Sequence, residues 1–382
     1  MPQDNRDILP VTPAVVAWAR ERAGFSVEEA AKYFRKIEAW EAGTAAPSYP
    51  QLEQMAEKFK CPVAVFFFPA PPDVPAAEKS FRTIDPKDLA ALPRILRILL
   101  RRAQAMQLNL SELNDGRNPS TRFITRDLQF NVDTPVRAIA AKLREYLGVS
   151  IEDQMKWPDV EAALEQWREV FTSVGIYVFK DAFHAERYFG FCLYDDQFPI
   201  IYINNSSTKS RQIFTLFHEL GHLLFHTSGI DIGSDGATSA PSSEAKKIEV
   251  ICNGLAGAFL VPDDALSKAL GRMQPDRDAA TTLAGRFNVS REVIYRRFLD
   301  RGLISRDEYS KAADFWIKQI KKPASSSGNY YNTLFSYLGR DYINLAFRRY
   351  HQNRFDDVQL SEYLNIKPRN LPAFELKYAG GQ

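Results

Sequence analysis

Residues 211–226 read RQIFTLFHELGHLLFH, and this stretch decides the fold. Apolar residues fill most of its positions, and their spacing predicts a buried helix from about Ser210 to Phe225. His218 and His222 are four residues apart, so both imidazoles project from one face of that helix. Two histidines and a carboxylate would be costly to bury there without a partner, and a metal ion supplies one.

The pattern at residues 218–222 is HExxH. Glu219 follows the first histidine, where its carboxylate can reach a water at the metal without being a ligand itself. Two satisfied core histidines are the alternative explanation, but the chain has only 5 histidines in 382 residues, so a chance HExxH would be rare. Gly221 is expected to let the opposite backbone approach closely. The stretch therefore predicts a zinc site.

A third ligand must come from another element, because a catalytic zinc ion takes three protein ligands and keeps one position open. Glu249 is the predicted ligand, since it borders the inner face of a second apolar helix at about Glu244 to Leu260. Asn253, one turn further on, is expected to orient Glu249. The alternative acidic ligands lie nearer the preceding loop: Glu244, Asp231 and Asp235.

His226 is not expected to bind the same ion. It lies eight residues past His218, which is roughly 12 Å along a continuous helix. We expect it to be structural or to contact substrate. His226 and Tyr202 are also the two candidates for an oxyanion donor.

Three short runs rich in β-forming residues precede the histidine helix, at Gly175–Phe179, Tyr188–Leu193 and Pro199–Asn204. The last run is expected to be an edge strand that holds extended substrate by backbone pairing. The Gly- and Ser-rich residues from Thr227 to Ser243 are expected to form a loop. The predicted fold class is α+β, with a small sheet packed on the HExxH helix between an N-terminal and a C-terminal helical domain.

Four segments are expected along the chain: a helical unit at 1–70, a linker with connecting helices at 71–150, a core at 151–322 and a helical tail at 323–382. Thr12 and Pro13 predict the start of the first helix, and Ser26 with Glu29 forms a capping box for the second. The proline-rich stretch 69–75 and the Ser-rich stretch 322–328 mark linkers.

Composition excludes several classes of protein. Forty-nine basic and 47 acidic residues leave a net charge of +2, which indicates neither a nucleic-acid nor a membrane surface. Three cysteines without CxxC spacing favour a reducing compartment and no disulfide framework. Without an apolar signal segment or a membrane-length run, we expect a cytoplasmic protein and no membrane partner.

Residues 211–226, together with EVICNGLAGAFLVP at 249–262, closely resemble the two motifs of the ImmA/IrrE family of metallopeptidases. The resemblance covers about residues 150–320 and implies a zincin-like peptidase core. It implies that zinc is bound by His218, His222 and Glu249, and that Glu219 is the catalytic residue. Known members cleave a partner transcriptional repressor, so a repressor or a neighbouring gene product is the expected protein substrate.

Residues 18–43 resemble an Xre-type helix-turn-helix, but between Ala31 and Trp40 the chain is about four residues shorter than that pattern. The missing part holds the turn and the start of the recognition helix, so we expect the unit to fold without reading DNA sequence. The rival function is a DNA-binding regulator or an antitoxin-like partner of a co-encoded toxin, with a structural or rarely used zinc site. Residues 284–297 show a similar helix-turn-helix pattern and are expected to pack against the core.

Overall fold

The computed structural model describes residues 9–72, 92–232, 243–319 and 329–380. These residues divide into two compact units. The first consists of residues 9–72 and 92–102, and the second consists of the described residues from 103 onward. The boundary expected at 322–323 and part of the proline-rich linker fall outside the described residues.

The first unit is wholly helical. Its elements are α1 (Pro13–Arg22), α2 (Val27–Ala31), α3 (Ile37–Glu41), α4 (Tyr49–Phe59) and a 3-10 helix (Val63–Phe67). Pro13 occupies the first turn of α1, and Ser26 and Glu29 form the capping box of α2, so both predicted helix starts are confirmed. Val16, Trp40, Met55 and Phe59 lie in a buried apolar core that these short helices share.

The second unit is α+β, as predicted. Its helices before the sheet are α5 (Arg94–Leu113, of which 103–113 belong here), α6 (Ile124–Asp127), α7 (Val136–Leu147), α8 (Ile151–Lys156) and α9 (Val160–Ser173). The strands are β1 (Tyr177–Asp181), β2 (Tyr188–Leu193), β3 (Ile200–Asn204) and β4 (Ile230–Ile232). The central helices are α10 (Lys209–Leu224) and α11 (Ser243–Leu260). The later helices are α12 (Asp263–Leu270), α13 (Arg277–Phe287), α14 (Arg291–Asp300), α15 (Arg306–Gln319), α16 (Tyr330–Leu338), α17 (Arg340–His351), α18 (Asp357–Tyr363), a 3-10 helix (Pro368–Asn370) and α19 (Leu371–Ala379).

The sheet has the strand order β1-β3-β2-β4. β3 pairs in parallel with β1 and antiparallel with β2, so the prediction that Pro199–Asn204 forms an edge strand is wrong. The outer strand next to β2 is β4, which lies within the stretch predicted to be loop. Three residues among glycines and serines are too few to show strand periodicity, which explains why the sequence did not reveal β4.

The two faces of the sheet pack against different helices. Ile201 and Ile203 of β3 belong to the core that also contains Leu216 and Leu220 of α10. The opposite face is aromatic: Tyr202 stacks on Phe191, with 5.2 Å between ring centroids. Since neighbouring residues of a strand face opposite ways, Tyr202 points away from α10, and its assignment as an oxyanion donor is wrong.

The C-terminal helices cover that aromatic face. The ring of Phe179 in β1 lies 5.3 Å from the ring of Tyr342 in α17, in an edge-on arrangement. The Tyr342 hydroxyl accepts a hydrogen bond from Asn109 of α5 at 3.2 Å and donates one to the carbonyl of Tyr363 at 3.1 Å. The sheet is therefore enclosed between α10 on one side and α5 and α17 on the other.

Helix α10 packs closely on α11 at Gly221. A Cβ atom at Gly221 would lie 2.7 Å from the Cys252 sulfur and 3.1 Å from the Cys252 Cα atom. The prediction that Gly221 permits a close backbone approach is therefore confirmed. Nearby, the ring of Phe217 in α10 stacks on the ring of Phe259 in α11, with 4.3 Å between centroids. This contact stabilises the packing of the two helices at a second point.

None of the helices in the described ranges has both the length and the apolar character needed to cross a bilayer.

Replacing Gly221 by alanine should force α10 and α11 apart, because the new methyl group would overlap the Cα atom of Cys252. Overpacking of this kind typically lowers the free energy of unfolding by about 1–3 kcal/mol. Urea denaturation measures the change. Gly285→Ala in α13 is the matched control, since its added Cβ meets nothing within 4 Å and should be neutral or stabilising by about 0.5–1 kcal/mol. Equal stability of both variants would contradict the packing argument.

Candidate metal centre

The histidine helix begins and ends at residues that the local sequence specifies. The Thr208 hydroxyl caps α10 by accepting a hydrogen bond from the Arg211 amide at 3.3 Å. After the helix, His226 adopts a left-handed backbone conformation with φ +55°. Its Nε2 atom lies 2.9 Å from the Thr125 carbonyl oxygen, and its ring packs on Tyr194 at 4.9 Å. His226 therefore closes the helix and lies outside the metal group.

His218, His222 and Glu249 converge. The Nε2 atoms of the two histidines are 3.3 Å apart. The Glu249 carboxylate lies 3.6 Å from Nε2 of His218 and 3.1 Å from Nε2 of His222. All three ligand atoms lie within 4.8 Å of one another, and this is the group among the described residues that could hold an ion.

The spacing of these atoms fits a tetrahedral zinc ion. Two ligand atoms about 2.1 Å from such an ion lie about 3.4 Å apart, close to the three separations seen here. Two imidazoles and one carboxylate are also a donor set found at catalytic zinc sites. Both histidines are fully buried, whereas 36% of the Glu249 side chain is exposed, so the group is open to solvent on the α11 side.

Glu219 lies beside this group and is completely buried. The Cys192 thiol lies beside it, but neither carboxylate oxygen makes a hydrogen bond of normal geometry within the described chain. Burial raises the pKa of Glu219 to about 8, against the opposing attraction of His222. A buried carboxyl group without hydrogen bonds is unfavourable, and a cation at the three neighbouring ligands would stabilise its charged form.

The carboxylate of Glu249 has a different electrostatic environment. Burial alone would raise the pKa of Glu249, but the imidazoles of His222 and His218 together outweigh burial and lower the pKa below its usual value. Burial lowers the pKa of His218, which favours the neutral imidazole that binds metals. The surroundings of Glu249 thus favour its charged form, whereas the surroundings of Glu219 favour its neutral form.

Two of the remaining acidic candidates, Asp231 and Glu244, do not join the group. Asp231 is buried but accepts hydrogen bonds from Arg211 at 2.8 Å and from the Thr215 hydroxyl at 2.8 Å. Glu244 is exposed on the first turn of α11, and Asp235 lies outside the described residues. Among the described residues, Glu249 is thus the acidic side chain that meets both histidines.

Asn253 does not orient the Glu249 carboxylate. Its amide donates to the main-chain carbonyl of Glu249 at 3.0 Å, one turn back along α11, so the predicted contact is wrong.

The sequence also did not predict that Gly229 packs on His222, where an added Cβ would lie 2.4 Å from the imidazole ring. That contact depends on where the chain turns into β4, which no local pattern shows.

Comparisons with known proteins agree with this geometry. Residues 171–299 match the family model Peptidase_M78, described as an IrrE N-terminal-like domain, and this range contains the whole metal group. The radiation response metalloprotease IrrE of Deinococcus radiodurans is 34% identical over 98 residues, covering 25% of this chain and 30% of that protein. The protein of the same name from Deinococcus deserti is 34% identical over 103 residues, covering 25% and 34%. The chain thus spans about a third of the length of these relatives.

Purified protein should carry about one zinc ion per chain, and His218→Ala or His222→Ala should abolish it, because two remaining ligands rarely hold the ion. Elemental analysis after gel filtration measures the content. The control is His351→Ala on α17, which removes an exposed histidine outside the group and should leave zinc bound. Full zinc content in either site variant would disprove the site.

Glu249→Ala should weaken zinc binding by more than about a hundredfold, beyond the roughly 10–100-fold effect of residues that only support a ligand. Competition with a chromophoric chelator measures the affinity. Glu244→Ala provides the control from the same helix and should bind zinc like the wild type. If Glu249→Ala kept wild-type affinity while Glu244→Ala or Asp235→Ala lost it, the third ligand would be misassigned.

Proposed function

We propose, from the membership of residues 171–299 in the ImmA/IrrE family of metallopeptidases, that the protein is a zinc-dependent endopeptidase acting on a partner regulatory protein, such as a transcriptional repressor. The observation that carries the proposal is the convergence of His218, His222 and Glu249 beside the buried carboxyl group of Glu219. A structural zinc site would more often be closed by a fourth protein ligand, whereas three ligands leave a position for water or substrate.

A zinc ion bound by these three residues would act as a Lewis acid on the peptide carbonyl and would activate water. Glu219 follows His218 directly in α10, so its carboxyl group is adjacent to the ligands without being one of them. Burial raises its pKa to about 8, and a bound cation would act in the opposite direction by favouring the carboxylate form, which can accept a proton. A group of this kind is suited to accept a proton during attack and to deliver it to the leaving amine.

The substrate backbone is proposed to pair with β4. This strand pairs with β2 on one side and ends the sheet within the described strands, so its other edge has the hydrogen-bonding groups that an extended peptide needs. Asp231 in the middle of β4 contacts Thr215, which lies one turn before Glu219 on α10. The proposed pairing edge thus belongs to a strand fixed to the helix that carries the acid–base residue.

Glu219→Gln should retain about one zinc ion per chain but should slow hydrolysis by about 10²–10⁴-fold, the usual contribution of a general acid–base group. The assay incubates zinc-loaded protein with the product of the neighbouring gene and follows cleavage by mass spectrometry. Glu145→Gln, an exposed residue of α7, should cleave at the wild-type rate. Undiminished cleavage by Glu219→Gln would remove Glu219 from the mechanism.

A second candidate function, DNA binding by the first unit, rests on three exposed basic residues between α2 and α3: Lys32, Arg35 and Lys36. Helix α3 has five residues, and Ile37 and Trp40 are buried in the core. Glu38 is the exposed residue of its first turn. Such a helix offers phosphate contacts at its start but little side-chain surface for reading bases, which supports binding without sequence specificity.

The full chain should therefore bind its own upstream DNA and a scrambled duplex alike, with affinity falling steeply as salt rises. The double variant Arg35→Gln, Lys36→Gln should weaken both equally, and Lys142→Gln in α7 is the control for loss of an exposed positive charge. Fluorescence anisotropy measures the affinities. A preference for the upstream DNA beyond about a thousandfold at physiological salt would instead favour a DNA-reading regulator.

A further inference from the structure

Asp231 forms a buried polar bridge between β4 and α10. One guanidinium nitrogen of Arg211 lies 2.8 and 2.9 Å from the two carboxylate oxygens of Asp231. The Thr215 hydroxyl donates to the same carboxylate at 2.8 Å. Only 5% of the Asp231 side chain is exposed, and Thr215 is fully buried, so water does not compete well for these bonds.

The pairing of β2 with β4 is irregular at the same place. Gly190 pairs with Asp231 and Tyr188 pairs with Ile232, so Phe189 has no partner of its own and forms a bulge. The bulge directs Phe189 toward α10, where its ring lies 3.8 Å from the Arg211 guanidinium carbon. The same arginine that pairs with Asp231 therefore also covers the bulged residue.

Gly190 allows α10 to lie close enough for this bridge. A Cβ atom at Gly190 would lie 2.4 Å from the Thr215 methyl group and 2.9 Å from the Tyr202 carbonyl oxygen. Any larger residue would push Thr215 away from β2 and break its hydrogen bond to Asp231. Strand β2, the bulge and the polar bridge thus form one packed unit around a three-residue outer strand.

A three-residue strand paired on one side has few main-chain hydrogen bonds to hold it. Its position relative to α10 must then come from side-chain contacts, and the described chain provides them through Asp231. We propose that Asp231 is a positioning residue that fixes β4 against the HExxH helix, so that an extended peptide pairing with β4 is presented to the metal group in one register. The proposal rests on the proposed peptidase function for the role of the bound peptide, but not for the bridge itself.

Amide hydrogen exchange of the zinc-loaded full chain tests the bridge without any substrate. Asp231→Asn should accelerate exchange in the peptide that contains Ile230–Ile232 by about tenfold or more, because a charge-assisted buried hydrogen bond is lost. Thr215→Val, which removes the hydroxyl at similar shape, should do the same, and Thr215→Ser should restore protection. Zinc content and the visible spectrum of the Co²⁺-substituted protein should stay as in the wild type.

Steady-state kinetics on a quenched fluorogenic peptide pool provides the second readout. Asp231→Asn should raise the apparent KM by about tenfold while kcat changes by less than about threefold, because the strand that receives the peptide is misplaced and the metal group is not. Asp300→Asn, which breaks an ion pair with Arg296 on α14, is the matched control and should leave both parameters unchanged.

The outcomes separate this proposal from the proposed function. If the wild type hydrolyses no peptide or partner protein, the peptidase function fails, and exchange of β4 still decides whether Asp231 fixes that strand. Unchanged exchange of β4 in Asp231→Asn would overturn the positioning role even in an active peptidase. A uniform rise in exchange over the whole chain, a fall in kcat alone or loss of zinc would overturn it as well.

Discussion

The close packing of α10 on α11 at Gly221 is the constraint on which the candidate site depends. A single histidine helix offers two imidazoles on one face, but the carboxylate that meets them must come from another element. With the Cys252 sulfur 2.7 Å from where a Cβ of residue 221 would be, the backbones are near enough for Glu249 to reach both histidines. A larger residue at this point would be expected to move Glu249 away from the two histidines.

The second feature is the burial of three ionisable side chains in a largely apolar helix. His218, Glu219 and His222 are each 2% exposed or less. The Nδ1 atoms of both histidines and both Glu219 oxygens have no hydrogen bond of normal geometry among the described residues, although the Cys252 thiol lies beside His222 and the Cys192 thiol beside Glu219. Buried polar groups without hydrogen bonds are rare in stable proteins and concentrate where function requires them. A metal ion would satisfy this arrangement, whereas a purely structural helix would gain stability from apolar residues at these positions.

Local patterns predicted the elements but not their arrangement. The apolar periodicity of residues 211–226 and the three β-rich runs gave α10 and β1–β3 within about two residues at their ends. The strand order was not accessible, because β4 lies among glycines and serines and because β3 pairs on both sides. Tyr202 was a wrong candidate for a related reason: its face of β3 packs under Phe191 and the distant α17, a contact that no local pattern shows. Glu249 was accessible because the inner face of α11 is visible in its sequence.

The pairing of Asp231 with Arg211 also contributes to the environment of Glu219. Asp231 raises the pKa of Glu219 through its negative charge, in addition to the larger effect of burial. Without the guanidinium 2.8 Å away, Asp231 would be an uncompensated buried charge close to the buried carboxyl group of Glu219. With it, the buried Asp231 side chain has both an ion-pair partner and the Thr215 hydroxyl as a hydrogen-bond donor. The bridge that fixes the outer strand thus also gives a buried charge the partners without which it would be unfavourable in this part of the core.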